Sequence, residues 1–167
     1  MRIVELLLLN LDSELRGTRA TLERIPETGA DFTPHGKSMP MGRLAVHVAR
    51  LPQFLTLILS TPGLDLAAAT WPPLVFESRE KLLAEFDALA AEARQALAAA
   101  GDEQLDQPWT LSWGGKVLTR QPRAQLFSSL FLHHLVHHRA QLGVYLRLNN
   151  LPVPSVYGPT ADEGMGH

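Results

Sequence analysis

The stretch from Phe127 to Leu148, FSSLFLHHLVHHRAQLGVYLRL, constrains this chain more than any other. Its Phe, Leu, Val and Tyr residues recur at the three- and four-residue spacings of a helix with a buried face. Set among them are four of the chain's seven histidines. They form two overlapping pairs, His133 with His137 and His134 with His138. Residues four apart lie on one helical face, one turn apart. Two neutral imidazoles so placed can reach one metal ion, which is how HExxH motifs hold zinc. The Glu of that motif is absent here, so this helix carries no metalloprotease general base. Periodicity does not choose between the two pairs, because apolar residues flank both.

Two imidazoles need a further ligand. Catalytic zinc sites take three protein ligands and keep one position open. The chain has no cysteine, which excludes thiolate ligands, disulfides and a cysteine nucleophile. His47 is the candidate. It lies in MGRLAVHVARLPQFLTLILS, where Leu44, His47, Val48, Leu51, Phe54, Leu55 and Ile58 share one side of a helix. An unpaired imidazole on such a face is costly. Three imidazoles from two neighbouring helices can close around one ion, leaving room for water or substrate. The bland reading stands beside this one: a lone His on an apolar face is commonly a hydrogen-bonded core residue, and histidines four apart also arise by chance. An all-nitrogen site suits Zn, Ni, Cu or Fe(II) alike. His35, in a loop with Pro and Gly, and His167 at the terminus read as solvated.

The rest of the chain predicts three more helices. The first runs from about Arg2 to Ile25, with Val4, Leu7, Leu8, Leu11, Leu15, Leu22 and Ile25 as an apolar stripe. Gly17 inside it costs about 1 kcal/mol relative to Ala, and Pro26 stops it. After a loop over Glu27 to Met39, helix two starts near Ser38 to Met41, with Ser38 or Met39 as cap and Pro40 in the first turn. Pro52 bends it. A second loop, Thr61 to Phe76, contains Trp71-Pro72-Pro73. Helix three spans about Ser78 to Ala100, capped by Ser78 and stopped by Gly101, with Leu82, Phe86, Leu89, Ala93 and Leu97 inward. Residues 109 to 118 suit a small hairpin turning at Gly114-Gly115. Helix four starts near Thr119 to Pro122 and continues to Arg147. The Pro- and Gly-rich tail reads as mobile from about residue 159 to 167. Trp109, Trp113 and Tyr157 read as packing between loops and helices.

Four long amphipathic segments predict an all-α four-helix bundle, with long loops and the small hairpin. Connections of about 12 to 20 residues are uncommon unless they cover something or do work. A length of 167 residues with 46 % hydrophobic composition fits one domain over residues 1–167 with a real core. A formal charge of -2 gives no electrostatic case for nucleic acid. The N-terminal run MRIVELLLLNLDSELRG is broken by Glu5, Asn10 and Asp12, so it makes a poor signal peptide and too short a membrane span. With no cysteine, a cytoplasmic location is expected.

Several pieces together resemble the DinB-like (DinB/YfiT) family of small bacterial proteins. They are Pro34-His35-Gly36-Lys37-Ser38, Met41-Gly42-Arg43-Leu44-Ala45-Val46-His47, and His134-Leu135-Val136-His137-His138-Arg139-Ala140-Gln141-Leu142, followed by Tyr145-Leu146-Arg147 and Val153-Pro154-Ser155-Val156-Tyr157-Gly158. The resemblance spans nearly the whole chain. It implies an up-down-down-up four-helix bundle, frequent homodimers, and a divalent metal held by three histidines. Carried onto this sequence, those ligands are His47, His134 and His138, which leaves His133 and His137 as neighbours. Ala140 stands where the family commonly has Gly between the Arg and the Gln. The cofactor implied is zinc or nickel, ahead of iron or manganese. The activity implied is a metal-dependent thiol transferase or hydrolase acting on a small molecule, with a low-molecular-weight thiol as one candidate partner. The competing readings are a non-catalytic metal or small-ligand binder and a dimeric interaction module.

Overall fold

Four long helical segments carry the core, where the apolar stripes place them. In the computed structural model, which describes residues 2–164, α1 spans Ile3–Leu22, α2 Met41–Ser60 and α3 Arg79–Ala99. A short α4, Asp102–Asp106, follows. The last segment runs on through α5 (Arg123–Leu126), a π-helical turn (Phe127–Leu132) and α6 (His133–Leu148). α2 packs on α3 and α6, and α1 packs on α3 and α6.

The local causes are visible at the ends and along the faces. Ser78 caps α3 by accepting the Lys81 N–H at 3.2 Å. Leu82, Phe86, Ala93 and Leu97 are buried as the stripe requires, whereas Leu89 is half-buried and Ala90 lies inside instead. α2 starts one residue after Pro40, which is extended and stands at the cap position rather than in the first turn. No side chain caps that end. Its first amides donate to loop carbonyls instead, Met41 to Phe32 and Gly42 to Ala30 at 2.9 and 2.7 Å. Pro52 lies buried inside α2. Between α1 and α3, Arg19 pairs with Asp87 and Arg94 with Asp12, each at 2.8 Å. The partners run in reverse order along the two helices, which are therefore antiparallel.

The chain is mostly helical, and the all-α expectation is corrected by a small sheet. The hairpin is longer than residues 109 to 118, with β2 over Pro108–Trp113 and β3 over Lys116–Pro122. It turns at Gly114 and Gly115, whose φ values of 56° and 81° suit a type I′ turn that favours glycine. An unexpected β1, Gly63–Asp65, pairs parallel to β2, giving the order β1-β2-β3. A Cβ on Gly63 would meet the Thr110 carbonyl oxygen at 2.6 Å, so only glycine permits this pairing. Asp65 then accepts the Gly114 and Gly115 amides, both at 2.8 Å, and ties the loop after α2 to the hairpin turn.

The tail lies along α1 and α6. Within the stretch expected to be mobile, Asp162 pairs with Arg147 and Glu163 with Arg24, each at 2.5 Å. Residues 165–167, including His167, lie outside the described residues. Trp109 is fully buried and donates its indole N–H to Thr61 Oγ1 at 3.0 Å. Trp113, expected to pack, is exposed, because it sits next to the hairpin turn. Among the described residues no helix is long and apolar enough to cross a membrane.

Candidate metal centre

The helix pairing of α2 with α6 brings three imidazoles together. His47 comes from α2, and His134 and His138 come from α6, one turn apart. Each offers a ring nitrogen, and the three nitrogens lie within 4.8 Å of one another. The Nε2 atoms of His47 and His134 are 3.2 Å apart. The ring of His138 has its centroid 4.7 Å from each of the other two. All three are half-buried, whereas His133 and His137 are exposed, with the His137 ring edge-on to that of His138 at 4.8 Å between centroids. The geometry therefore separates the two overlapping pairs, and His35 is exposed in its loop.

The helix is not regular up to this point. The Phe127–Leu132 turn is π-helical, and the His133 amide reaches back to the Ser128 carbonyl. One wide turn resets the phase of every residue after it, and such turns recur at functional sites. Phe127 and Phe131 are buried before the reset, and Leu135, Arg139 and Leu142 after it.

Burial sets the protonation of the cluster. It pushes His47 down to about 4, helped by the neighbouring His138 and His134 and then by Arg43. His134 and His138 are also lowered, again first by burial. The three rings are thus neutral at pH 7, the form that ligates metal. Nδ1 of His138 lies 2.7 Å from the side-chain oxygen of Gln141, which can only accept. The proton is then on Nδ1, and the Nε2 lone pair is free for the cluster. Two Nε2 atoms this close must either share a proton or turn their lone pairs on one cation. Three neutral nitrogens at this spacing fit a divalent ion of borderline softness. His47, His134 and His138 would hold it.

A cavity of about 310 Å³ adjoins the centre and shares His47 and His134 with it. Its walls come from α2 and from the loop after it. Trp71 and Phe54 face each other there at 28°, with centroids 6.4 Å apart. Arg50 holds the loop in place: its Nη1 donates to the carbonyls of Pro72 and Pro73, 3.0 Å each, and its Nε to Glu85 at 2.7 Å. Nothing in the sequence marks Trp71, Phe54, Arg50 or Gln53 individually as a site residue. The one signal was the length of the loop carrying Trp71-Pro72-Pro73.

A helical fold with a small sheet and a three-histidine cluster beside an apolar cavity defines a class of small candidate metalloproteins. The chain belongs to the DinB superfamily, whose family model matches residues 10–142. Two solved structures share the fold. A DinB-like protein from Bacillus subtilis is 20% identical with a TM-score of 0.69, over 90% of this chain and 96% of its own. A DinB-like protein from Bacillus cereus is 20% identical with a TM-score of 0.67, over 90% of this chain and 95% of its own. Comparison with curated proteins finds no match.

Proposed function

We propose that this protein is a metal-dependent enzyme of the thiol-transferase or hydrolase type, acting on a small molecule at the His47, His134 and His138 centre. The observation that carries this reading is the cavity opening beside three converged neutral imidazoles. A saturated structural site needs no such space. The ion expected is zinc or nickel, with iron or manganese as alternatives. A divalent ion bound there supplies Lewis acidity toward a substrate oxygen or sulfur. The chain's own residues do the rest. Burial keeps the three rings unprotonated at neutral pH. Gln141 orients His138. Leu51, Phe54, Trp71 and Leu74 seat the substrate and exclude water from it. With no cysteine in the chain, any thiol must arrive with the substrate.

The test is direct. Metal-loaded protein is incubated with a bacterial thiol plus an electrophile, and separately with a panel of esters. Turnover should appear in one arm and vanish in His47→Ala. Turnover that survives His47→Ala counts against the reading.

A second reading, a non-catalytic metal or small-ligand binder, draws support from one observation. Among the described residues the cavity is lined by no Asp, Glu, Lys or Tyr, so the imidazoles are the candidate proton-transfer groups there. Metal uptake without turnover on either panel would favour it.

Three further parts of the reading are proposals. The four long helical segments form an up-down-down-up bundle, a path supported by the antiparallel α1 and α3. The protein acts in the cytoplasm. It forms a homodimer, which the exposed Ile3, Leu6 and Leu9 on α1 support; light scattering giving a mass near one chain's 18.4 kDa would count against that.

A further inference from the structure

The cavity's chemistry narrows what it can take. Its walls are Leu51, Phe54, Leu66, Trp71, Pro72 and Leu74, joined by His47 and His134 from the metal centre. Arg50 is the one permanently charged side chain among the lining residues, and its charge is already committed. Its Nε donates to Glu85 at 2.7 Å, which neutralises its charge, and its Nη1 donates to the Pro72 and Pro73 carbonyls, while Nη2 has no hydrogen-bond partner among the described residues. Its task is to pin the loop that carries Trp71. Gln53 also lines the cavity, and its amide has no hydrogen-bond partner among the described residues. The cavity therefore offers apolar walls, the Phe54 and Trp71 rings 28° from parallel, the Nη2 of a guanidinium neutralised by Glu85, and the Gln53 amide.

We propose that the cavity beside the three histidines seats an uncharged aromatic or branched aliphatic group bearing one hydrogen-bonding function, which the Gln53 amide meets. This rests on the reading above that the histidines hold a reactive ion, and it names the part of the substrate that sits next to that ion. A carboxylate or ammonium entering an apolar cavity loses its hydration without gaining a free counter-charge. A zwitterionic thiol is thus a poor occupant. In a thiol-dependent reaction the cavity holds the electrophilic partner; in hydrolysis it holds the apolar side of the scissile bond. At about 310 Å³ the space lies at the small end of ligand cavities, which suits a single ring or short branched chain rather than an extended lipid.

The experiment uses the full chain, with and without zinc, and three probes: N-benzylacetamide, phenylacetate and N-acetylcysteine. Binding is followed by the indole N–H signals of the three tryptophans in ¹H–¹⁵N spectra, assigned with Trp71→Phe. In the zinc-free protein, N-benzylacetamide should shift the Trp71 signal saturably and leave that of Trp113 in place. Phenylacetate and N-acetylcysteine should bind more weakly there by about tenfold or more. Trp71→Ala should weaken N-benzylacetamide by a similar factor, read from ligand-observed spectra, with zinc content by elemental analysis unchanged. Trp71 is 44% exposed, so its removal spares the fold. Leu74→Trp, which fills the space from the loop, should block the probe. Tighter binding of either charged probe to the zinc-free protein, or wild-type affinity in both variants, overturns the proposal. A wild type that binds N-benzylacetamide but takes up no zinc upholds the cavity assignment and sinks the metal reading instead.

Discussion

The side-chain oxygen of Gln141 lies 2.7 Å from Nδ1 of His138, three residues before it on α6. This bond fixes the His138 tautomer and aims Nε2 at the cluster. Outer partners of this kind typically change metal affinity by about 10- to 100-fold. Gln141→Leu keeps the helix and most of the volume while removing the acceptor. Calorimetric titration with zinc should show affinity reduced by about that factor, against complete loss in His47→Ala. An unchanged zinc affinity in Gln141→Leu would mean that the ring is held by packing alone.

The two overlapping histidine pairs are separated by burial: His134 and His138 converge on His47, while His133 and His137 are exposed. His134→Ala should abolish metal retention, and His133→Ala should leave it intact, by elemental analysis of protein purified without chelators. His133 and His137 are both exposed and one turn apart, so they can pick up metal weakly on their own. The comparison is therefore made after dialysis at low metal. Equal loss in both variants would refute the assignment of the inner pair.

Asp65 joins the loop after α2 to the hairpin turn, and its carboxyl is held below the ordinary value by the Gly115, Ala67 and Gly114 amides. A lowered folded-state value means that the unfolded chain takes up the proton first. The contribution to stability is thus present above the unfolded value of about 3.8 and is lost as pH falls through the lower folded one. The Gly114 and Gly115 amide signals should titrate with a midpoint below 3.8. Asp65→Asn should lower Tm by about 2 to 4 °C at pH 7 and by little at pH 2. A midpoint at or above the ordinary value would show that the carboxylate does not hold the turn.

How far the sequence discloses the molecule depends on whether the cause is local. The α3 cap at Ser78 and the Gly114-Gly115 turn are local, and both are where the residues place them. His47, His134 and His138 were reachable because helical spacing and a family resemblance both point to them. Spacing alone left the outer pair equally eligible, since the π-helical turn that sets the phase of α6 leaves no mark in the apolar pattern. β1 was invisible because three residues, Gly63 to Asp65, carry no alternation, and their partner strand lies far along the chain. Trp71 looks like plain loop in the sequence because its role comes from Arg50 and Phe54 on another element. Gly17 illustrates the same limit. In sequence it is a weak point in a helix. In the fold a Cβ there would come 2.6 Å from Val156 Cγ1 and 3.2 Å from Arg139 Nη1, so it makes room for the tail.

That tail contact centres on Arg139, which is 4% exposed and joins α6, α1 and the C-terminal stretch. Arg139 Nη1 meets Glu14 Oε2 at 2.7 Å, and the same guanidinium donates to the Glu14 carbonyl, to Thr18 Oγ1 and to the Tyr157 hydroxyl. Tyr157 in turn donates to Glu14 Oε2 at 2.6 Å, closing the triangle. Removing one member of a buried pair strands the other, at a cost of about 3 to 5 kcal/mol. Arg139→Ala should therefore lose that much in urea unfolding. Arg139→Lys should recover only part of it, because an ammonium cannot reach all four acceptors at once. Tyr157→Phe deletes one hydroxyl and should cost about 1 kcal/mol. It should also speed proteolysis of the chain after residue 150, while zinc content stays at the wild-type level. If Tyr157→Phe lost zinc as readily as His134→Ala, the triangle would belong to the metal centre rather than to the anchoring of the tail.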